Sequence, residues 1–228
     1  MIQLVKNLYY WGLDYMYVAR EELASVMSRN QADEYRTKGG APIIIIPGVY
    51  ENWRFMRPIA RLLKSNDYDV HVIDGLGYNR GTIEEMAEVV DHYILKNKLS
   101  GVTIIAHSKG GLIGKYLLSI AKKPEIINGL IALNTPFSGS RYAYLLPIRS
   151  LRIFVPNSKI LASLAENRLV NSRIVSIYGK FDPHIPGGSK LEGAKNIQLN
   201  TYGHFRVMES PEVQRTILEN IAIFSTHA

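Results

Sequence analysis

Short apolar runs alternate with longer stretches of helical pattern through most of the chain. The runs are nearly continuous and rich in β-branched residues, which is typical of strands buried on both faces of a parallel sheet. They occupy residues 43–46, 70–73, 102–106, 130–133, 174–178 and 195–199. Helical patterns lie between most of them, at about 53–65, 82–97, 110–122 and 211–224. This alternation predicts an α/β fold: a doubly wound, mostly parallel sheet of about six strands with helices on both faces.

The first 38 residues differ from this pattern and are predicted to be an N-terminal helical extension of a single domain spanning residues 1–228. Between residues 3 and 28, apolar or small residues recur at a period of about 3.5, which predicts one long helix. The recurring positions are Val5, Leu8, Gly12, Tyr15, Ala19, Leu23 and Val26. We favour a helix packed on the domain; the alternative is an interfacial helix that uses its aromatic side chains. Those side chains are Tyr9, Tyr10, Trp11, Tyr15 and Tyr17.

Residues 136–168 interrupt the alternation between the fourth and fifth predicted strands. Large apolar residues are mixed there with five basic residues and one acidic residue, Glu166. The basic residues are Arg141, Arg149, Arg152, Lys159 and Arg168. Long connections in compact domains usually have a function, so the segment is predicted to be a cap or lid insertion. Its composition suits an apolar pocket or peripheral contact with a lipid surface through residues 138–168 better than a nucleic-acid groove.

Composition narrows the function classes. The chain has 228 residues, 46% of them hydrophobic, a net charge of +7 and no cysteine, so disulfides and thiolate metal sites are excluded. No histidine–carboxylate set has metal-ligand spacing, and a glycine pair after the second strand lacks the third glycine of a dinucleotide site because Arg80 stands there. We therefore expect no metal and no cofactor. Neither a signal peptide nor an apolar run of membrane-spanning length is evident, which favours the cytoplasm, with peripheral membrane association as an alternative.

A serine lies where the third predicted strand ends and the next helix begins. Residues 106–110 read Ala-His-Ser-Lys-Gly, and a serine in such a strand–turn–helix junction is held with its hydroxyl above the sheet edge. The residues two before and two after it must be small, and Ala106 and Gly110 meet that need. This pattern predicts Ser108 as a nucleophile; the alternative is a plain junction with a helix-capping serine.

A serine nucleophile needs a base, and His204 is the best candidate. It lies in Tyr-Gly-His-Phe, after the last predicted strand and before the last helix, and loops at the carboxyl ends of parallel strands converge on one crevice. His107 neighbours Ser108 but is expected to point elsewhere. His184 follows an acidic residue too closely to be the obvious base.

The acid that orients this base is expected after the preceding strand. Asp182 is the only carboxylate between Arg168 and Glu192, and it follows the strand at 174–178. Some hydrolases use an acid one strand earlier, but here that position offers Asn134, which carries no charge. Asp182 is therefore the predicted third member of a serine–acid–histidine order along the chain.

With these residues in place, about residues 41–226 resemble the lipase and esterase branch of the α/β-hydrolases. Residues 43–49 look like the strand and turn that supply half of the oxyanion hole, and residues 134–140 resemble the segment leading into a lipase cap. The resemblance implies that the backbone N–H groups of Val49 and Lys109 are the oxyanion donors. It also implies a carboxylic ester substrate.

Two residues depart from the resemblance. Lipases usually carry histidine before the oxyanion-loop glycine, and here Pro47 stands there, so the hydrogen-bond support of this loop is open. Lys109 places a cation at a helix start, where it opposes the helix dipole. We expect it to be a surface lysine; contact with an acidic substrate is the alternative.

These patterns together predict a carboxylic ester hydrolase that acts through an acyl-enzyme. The apolar segment at 138–168 suggests a lipid-like, small-molecule ester with an acyl chain as substrate. Acyl transfer or thioester hydrolysis by the same three residues is one alternative. A catalytically silent fold that binds a lipid or a partner protein is another, and Pro47 is its only motivation.

Overall fold

A six-stranded, fully parallel sheet forms the centre of the part of the chain described by the computed structural model, which comprises residues 2–27, 31–121, 124–145 and 148–225. The strands are β1 (Pro42–Ile46), β2 (Asp69–Val72), β3 (Val102–His107), β4 (Ile127–Leu133), β5 (Ile174–Phe181) and β6 (Lys195–Tyr202). All six predicted strands are confirmed. The largest shifts of their ends are at Ile127, Phe181 and Tyr202.

Helices join the strands, and five of the seven correspond to the predicted helical stretches. The α-helices are α1 (Ile2–Met27), α2 (Arg57–Lys64), α3 (Ile83–Lys96), α4 (Lys109–Ile120), α5 (Arg149–Arg152), α6 (Lys159–Glu166) and α7 (Pro211–Ser225). Short 3₁₀ turns occupy Ala32–Tyr35, Trp53–Met56, Asp74–Leu76, Pro124–Ile126, Arg141–Leu145, Leu169–Arg173 and Arg206–Glu209. The last positions of two predicted helices, 28 and 122, lie outside the described residues. In the described part of the chain, no helix combines the length and hydropathy that a membrane crossing requires.

The isoleucine run of β1 shows why the strands are apolar on both faces. Ile44 and Ile46 pack in the cluster that includes the inner faces of α3 and α4, whereas Ile43 and Ile45 pack with α2 and α7. Successive side chains of a strand point to opposite faces, so both layers of helices need an apolar partner on the same strand. The doubly wound arrangement predicted from the sequence is confirmed.

The strand order places two loops at one crevice. The order is β2-β1-β3-β4-β5-β6, so the chain runs outward from β1 to β2 and then returns to add β3 on the other side. Ligands of such sheets bind outside the carboxyl ends of the strands at this switch point. The loop after β1 and the turn after β3 therefore flank the expected site.

Helix α1 packs on the domain, but through the face opposite to the predicted one. Asp14, Tyr17 and Glu21 are buried, and the Glu21 carboxylate pairs with Arg57 at 3.1 Å. The described members of the predicted stripe, Leu8, Gly12, Tyr15, Ala19 and Leu23, are exposed or partly so; the side chains of Val5 and Val26 lie outside the description. The predicted packing face of α1 was wrong because polar contacts hold the helix on the domain. A periodic pattern of apolar residues does not reveal such contacts.

The segment between β4 and β5 contains a 3₁₀ turn (Arg141–Leu145), α5 and α6. Its residues 146 and 147 lie outside the described residues. Phe154, Leu161 and Leu164 are buried and belong to the same cluster as the α4 side chains. The segment is therefore packed on the domain through part of its apolar side chains.

Candidate active site

Ser108 occupies a strained turn between β3 and α4. Its φ of 49° and ψ of −117° lie in a region that residues with a Cβ rarely adopt, and its N–H donates to the Leu133 carbonyl at 2.9 Å. A Cβ on Gly110 would lie 2.3 Å from the Ile46 carbonyl oxygen, because the start of α4 crosses the end of β1. The need for small residues around the turn thus has a visible cause, and Ala106 is fully buried at the other small position.

The structure brings Ser108, His204 and Asp182 into one chain of hydrogen bonds. His204 Nε2 lies 3.0 Å from Ser108 Oγ, and its Nδ1 lies 2.7 Å from Asp182 Oδ2. The other carboxylate oxygen of Asp182 accepts the backbone N–H groups of His184, at 2.8 Å, and Ile185, at 3.1 Å. The side chains of Ser108, His204 and Asp182 are all buried, so these hydrogen bonds are shielded from water.

The environment of His204 favours its protonated form. Burial alone lowers the pKa of this imidazole, but the nearby charge and hydrogen bond of Asp182, with the charges of Glu51 and Asp14, outweigh burial and leave the pKa raised above 6.5. A raised pKa makes this imidazole a stronger base for the hydroxyl proton of Ser108.

Val49 and Lys109 are on either side of the switch point. Val49 lines a pocket of about 120 Å³ together with Ser108 and His204. Lys109 is the first residue of α4, so its N–H has no acceptor within that helix. Both backbone positions are compatible with donors to an oxyanion formed at Ser108.

Comparisons with known proteins agree with this architecture. Residues 41–151 match a family model described as the alpha/beta hydrolase fold. The chain has the α/β-hydrolase fold. No curated protein matches the sequence significantly.

Solved structures extend the similarity beyond the residues of the family match. BpoC from Mycobacterium tuberculosis H37Rv has a TM-score of 0.63 at 16% identity, covering 81% of this chain and 93% of its own. An esterase from a marine microorganism has a TM-score of 0.57 at 19% identity, covering 81% and 96%. A structure from a study of carboxylesterases of Nitrososphaera gargenis has a TM-score of 0.61 at 13% identity, covering 85% and 94%. At these identities, the similarity establishes the fold alone.

The loop after β1 has its own hydrogen-bond support despite the proline. Asn79 Nδ2 donates to the Pro47 carbonyl at 2.7 Å, and the Gly48 N–H donates to the Glu51 carboxylate at 2.7 Å. Glu51 is buried and was not predicted from the sequence. Two side chains therefore fix the loop that carries Val49.

The Lys109 side chain contradicts the expectation of a surface lysine. It is fully buried, and its Nζ donates to the Asn79 carbonyl at 2.8 Å and to the Gly81 carbonyl. Burial lowers the pKa of this amine to about 8. The lysine thus ties the loop around Asn79 to the start of α4, and its ammonium group contacts backbone carbonyls.

His107 points away from Ser108, as expected, but it has a part in the site. Its Nδ1 lies 2.9 Å from the Glu51 carboxylate, and its Nε2 lies 3.0 Å from the His204 carbonyl oxygen. The buried ring therefore links the loop after β1 to the turn that carries His204. The sequence gives no separate signal for this role.

Asn134 also holds the histidine turn. Its Nδ2 donates to the carbonyls of Gly203 and His204 at 3.1 Å, and its side-chain oxygen accepts the Gly179 N–H at 3.1 Å. The residue that seemed only an uncharged alternative to Asp182 thus connects the ends of β4, β5 and β6.

Asp14 of α1 was missed entirely by the sequence-based prediction. Its buried carboxylate accepts the backbone N–H groups of His204, Phe205 and Arg206 at 2.7, 2.9 and 3.0 Å. A Cβ on Gly203 would lie 2.6 Å from the same carboxylate, so the glycine before the histidine makes room for it. The only available signal was an acidic residue within an aromatic stretch of helix.

Among the residues that the structure describes, no group of three or more histidine, aspartate or glutamate side chains could hold a metal ion.

Proposed function

We propose that this α/β-hydrolase is a serine hydrolase that cleaves carboxylic esters. The observation that carries the proposal is the buried hydrogen-bond chain from Asp182 through His204 to Ser108, whose lengths are 2.7 and 3.0 Å. Ser108 Oγ attacks the ester carbonyl carbon while His204 Nε2 takes the hydroxyl proton. Asp182 holds the imidazole in the correct tautomer and stabilises the imidazolium. His204 then gives the proton to the departing alcohol, and water hydrolyses the acyl-enzyme by the same steps in reverse roles.

The backbone N–H groups of Val49 and Lys109 are the proposed oxyanion donors. Loss of one such donor typically lowers kcat by about 10²–10³, so the placement of these donors contributes strongly to the rate. The contacts of Asn79 with Pro47 and of Glu51 with Gly48 support the donor loop. These contacts weaken the alternative of a catalytically silent protein, because its only basis was Pro47 in place of the usual histidine.

The segment at 136–168 is the proposed cap over the acyl group. Leu151, Phe154 and Pro136 line the 120 Å³ pocket beside Ser108, so the acyl group would meet an apolar wall. Pockets for small molecules commonly measure about 300–1,000 Å³, and this one favours a short acyl group in the present arrangement. A lipid-like acyl chain requires the cap to move. The exposed Tyr142, Tyr144 and Leu145 agree with a cap that meets lipid.

The test combines labelling with a panel of esters. A fluorophosphonate probe should label the wild-type protein and not Ser108→Ala, and the labelled peptide should contain Ser108. Activity over a series of acyl chain lengths defines the acyl pocket, and added alcohol acceptors distinguish hydrolysis from acyl transfer by the products formed. A folded wild-type protein that resists the probe and cleaves no ester or thioester would refute the proposal.

A further inference from the structure

A second, larger cavity adjoins the pocket at Ser108 across His184 and Ile185. This groove has a volume of about 880 Å³ and runs between α1 and the loop after β5. Its apolar lining includes Leu8, Trp11, Tyr15, Tyr142, Phe181 and Ile185. The groove is thus of ordinary size for a small-molecule site, whereas the pocket beside Ser108 is much smaller.

His184 and Ile185 form the wall that the groove shares with the pocket at Ser108. The His184 ring centroid lies 5.0 Å from that of His204 and 5.7 Å from that of Tyr15. Burial, with repulsion from His204, lowers the pKa of His184 to about 4, so this ring is uncharged near neutral pH. An apolar substituent can therefore lie against this wall without desolvating a charge.

The chemistry of the proposed reaction decides which part of an ester faces this groove. His204 must donate a proton to the leaving oxygen, so the alcohol part has to lie on the His204 side of Ser108. The groove adjoins the pocket of Ser108 and His204 on this side, because His184 and Ile185 line both cavities. The acyl part lies by contrast between Ser108 and the proposed cap.

We infer that the groove between α1 and the loop after β5 binds the alcohol part of the substrate, and that this part is a bulky apolar or aromatic group. The inference rests on the proposed function. It gives α1 a role in substrate selection through Leu8, Trp11 and Tyr15, which lie on the exposed side of the helix.

The experiment compares acetate esters whose alcohol parts are methyl, benzyl and 2-naphthylmethyl. The acetyl group stays constant and small, and each ester is kept monomeric in solution, so that adsorption of α1 to a lipid surface does not contribute. Leu8→Ala and Trp11→Ala remove groove contacts. Leu23→Ala is the matched control: Leu23 is 63% exposed against 57% for Leu8 and lies 15 residues along, roughly 22 Å by the helical rise.

Leu8→Ala should lower kcat/KM for the naphthylmethyl ester about fivefold and Trp11→Ala about tenfold. Most of the change should be in KM, because these contacts persist from substrate to transition state. The methyl ester should be affected by less than twofold, and Leu23→Ala should leave all three esters unchanged. Taking the ratio of variant to wild type for each ester removes intrinsic differences in reactivity.

Equal effects of Leu8→Ala on all three esters, or equal effects of Leu8→Ala and Leu23→Ala, would overturn the inference while ester hydrolysis stands. The inference is also overturned, while ester hydrolysis stands, if the wild-type kcat/KM shows no preference for a larger alcohol. If Ser108 resists the fluorophosphonate probe and no ester is cleaved, the proposed function fails first, and the groove inference fails with it. Fluorophosphonate labelling of every variant separates these cases, because a groove variant should keep a reactive Ser108.

Discussion

The carboxylate of Asp14 accepts the backbone N–H of His204 at 2.7 Å, so the N-terminal helix directly holds the turn that carries the proposed base. The neighbouring N–H groups of Phe205 and Arg206 bind the other oxygen of the same carboxylate. Three converging donors suit an anion, and hydrogen bonds to a charged group are stronger than neutral ones. Asp14 is therefore a positioning residue: it acts on the reaction only through His204.

Replacing Asp14 by asparagine should misplace the histidine turn. The amide nitrogen of asparagine would face backbone donors, leaving at least one of them unpaired. The free energy of unfolding should fall by about 2–3 kcal/mol and kcat by about 10–100-fold, because small errors in the position of a base are costly. Chemical denaturation and steady-state kinetics measure both effects. Asp33→Asn, an exposed acid in the 3₁₀ turn Ala32–Tyr35, is the control and should change neither.

The acid limb of the pH profile should report His204. The reaction needs a neutral imidazole, so kcat/KM rises with pH as His204 loses its proton. Because the pKa of His204 is raised, the midpoint of this limb should lie above 6.5. The charge of Glu51 contributes to that raised pKa, so Glu51→Gln should move the midpoint to lower pH. An unchanged midpoint in Glu51→Gln, or one that moves upward, would contradict this electrostatic origin; Glu34→Gln is the exposed control.

The sequence was sufficient for the features that depend on chain order and periodicity. Mostly apolar runs located the six strands, because burial on both faces disfavours polar side chains in the inner strands; the edge strand β6 is partly exposed. The order of Ser108, Asp182 and His204 followed from the convergence of strand ends at one edge of a parallel sheet. These relationships depend only on the order of the strands and helices along the chain, which local sequence patterns can predict.

The residues that hold the site were missed because their contacts are long-range and polar. Asp14 and His204 are separated by 190 positions, and Glu51 and His107 by 56, so no local pattern links them. Lys109 was assigned to the surface because lysine is almost never fully buried unless it is paired. Its partners are backbone carbonyls, which leave no mark in the sequence.

Lys109→Met should destabilise the protein. Methionine preserves much of the side-chain volume but removes the donor to the carbonyls of Asn79 and Gly81. Leaving a buried acceptor unpaired costs about 1–3 kcal/mol, so the free energy of unfolding should fall by roughly 2 kcal/mol or more. Since Asn79 also supports Pro47, kcat should fall as well. Lys96→Met, at an exposed position of α3, should leave both quantities nearly unchanged; a similar loss in the control would show that the buried contacts are not the cause.

Gly110→Ala should disrupt the turn at Ser108 through a steric clash, beyond the general effect of replacing a glycine. The new Cβ would lie 2.3 Å from the Ile46 carbonyl and 2.8 Å from the Pro47 carbonyl, and both are backbone atoms that cannot move aside without shifting β1. Both Ser108 and the loop of Val49 should be displaced, with a large loss of fluorophosphonate labelling and of thermal stability.

Gly12→Ala is the matched replacement for this test. A Cβ there meets nothing within 4 Å, and alanine is favoured over glycine in a helix by roughly 0.5–1 kcal/mol. The melting temperature of Gly12→Ala should therefore stay the same or rise, with labelling at the wild-type rate. If Gly110→Ala labels as fast as Gly12→Ala, the close crossing of α4 over β1 is not what holds Ser108 in its reactive conformation.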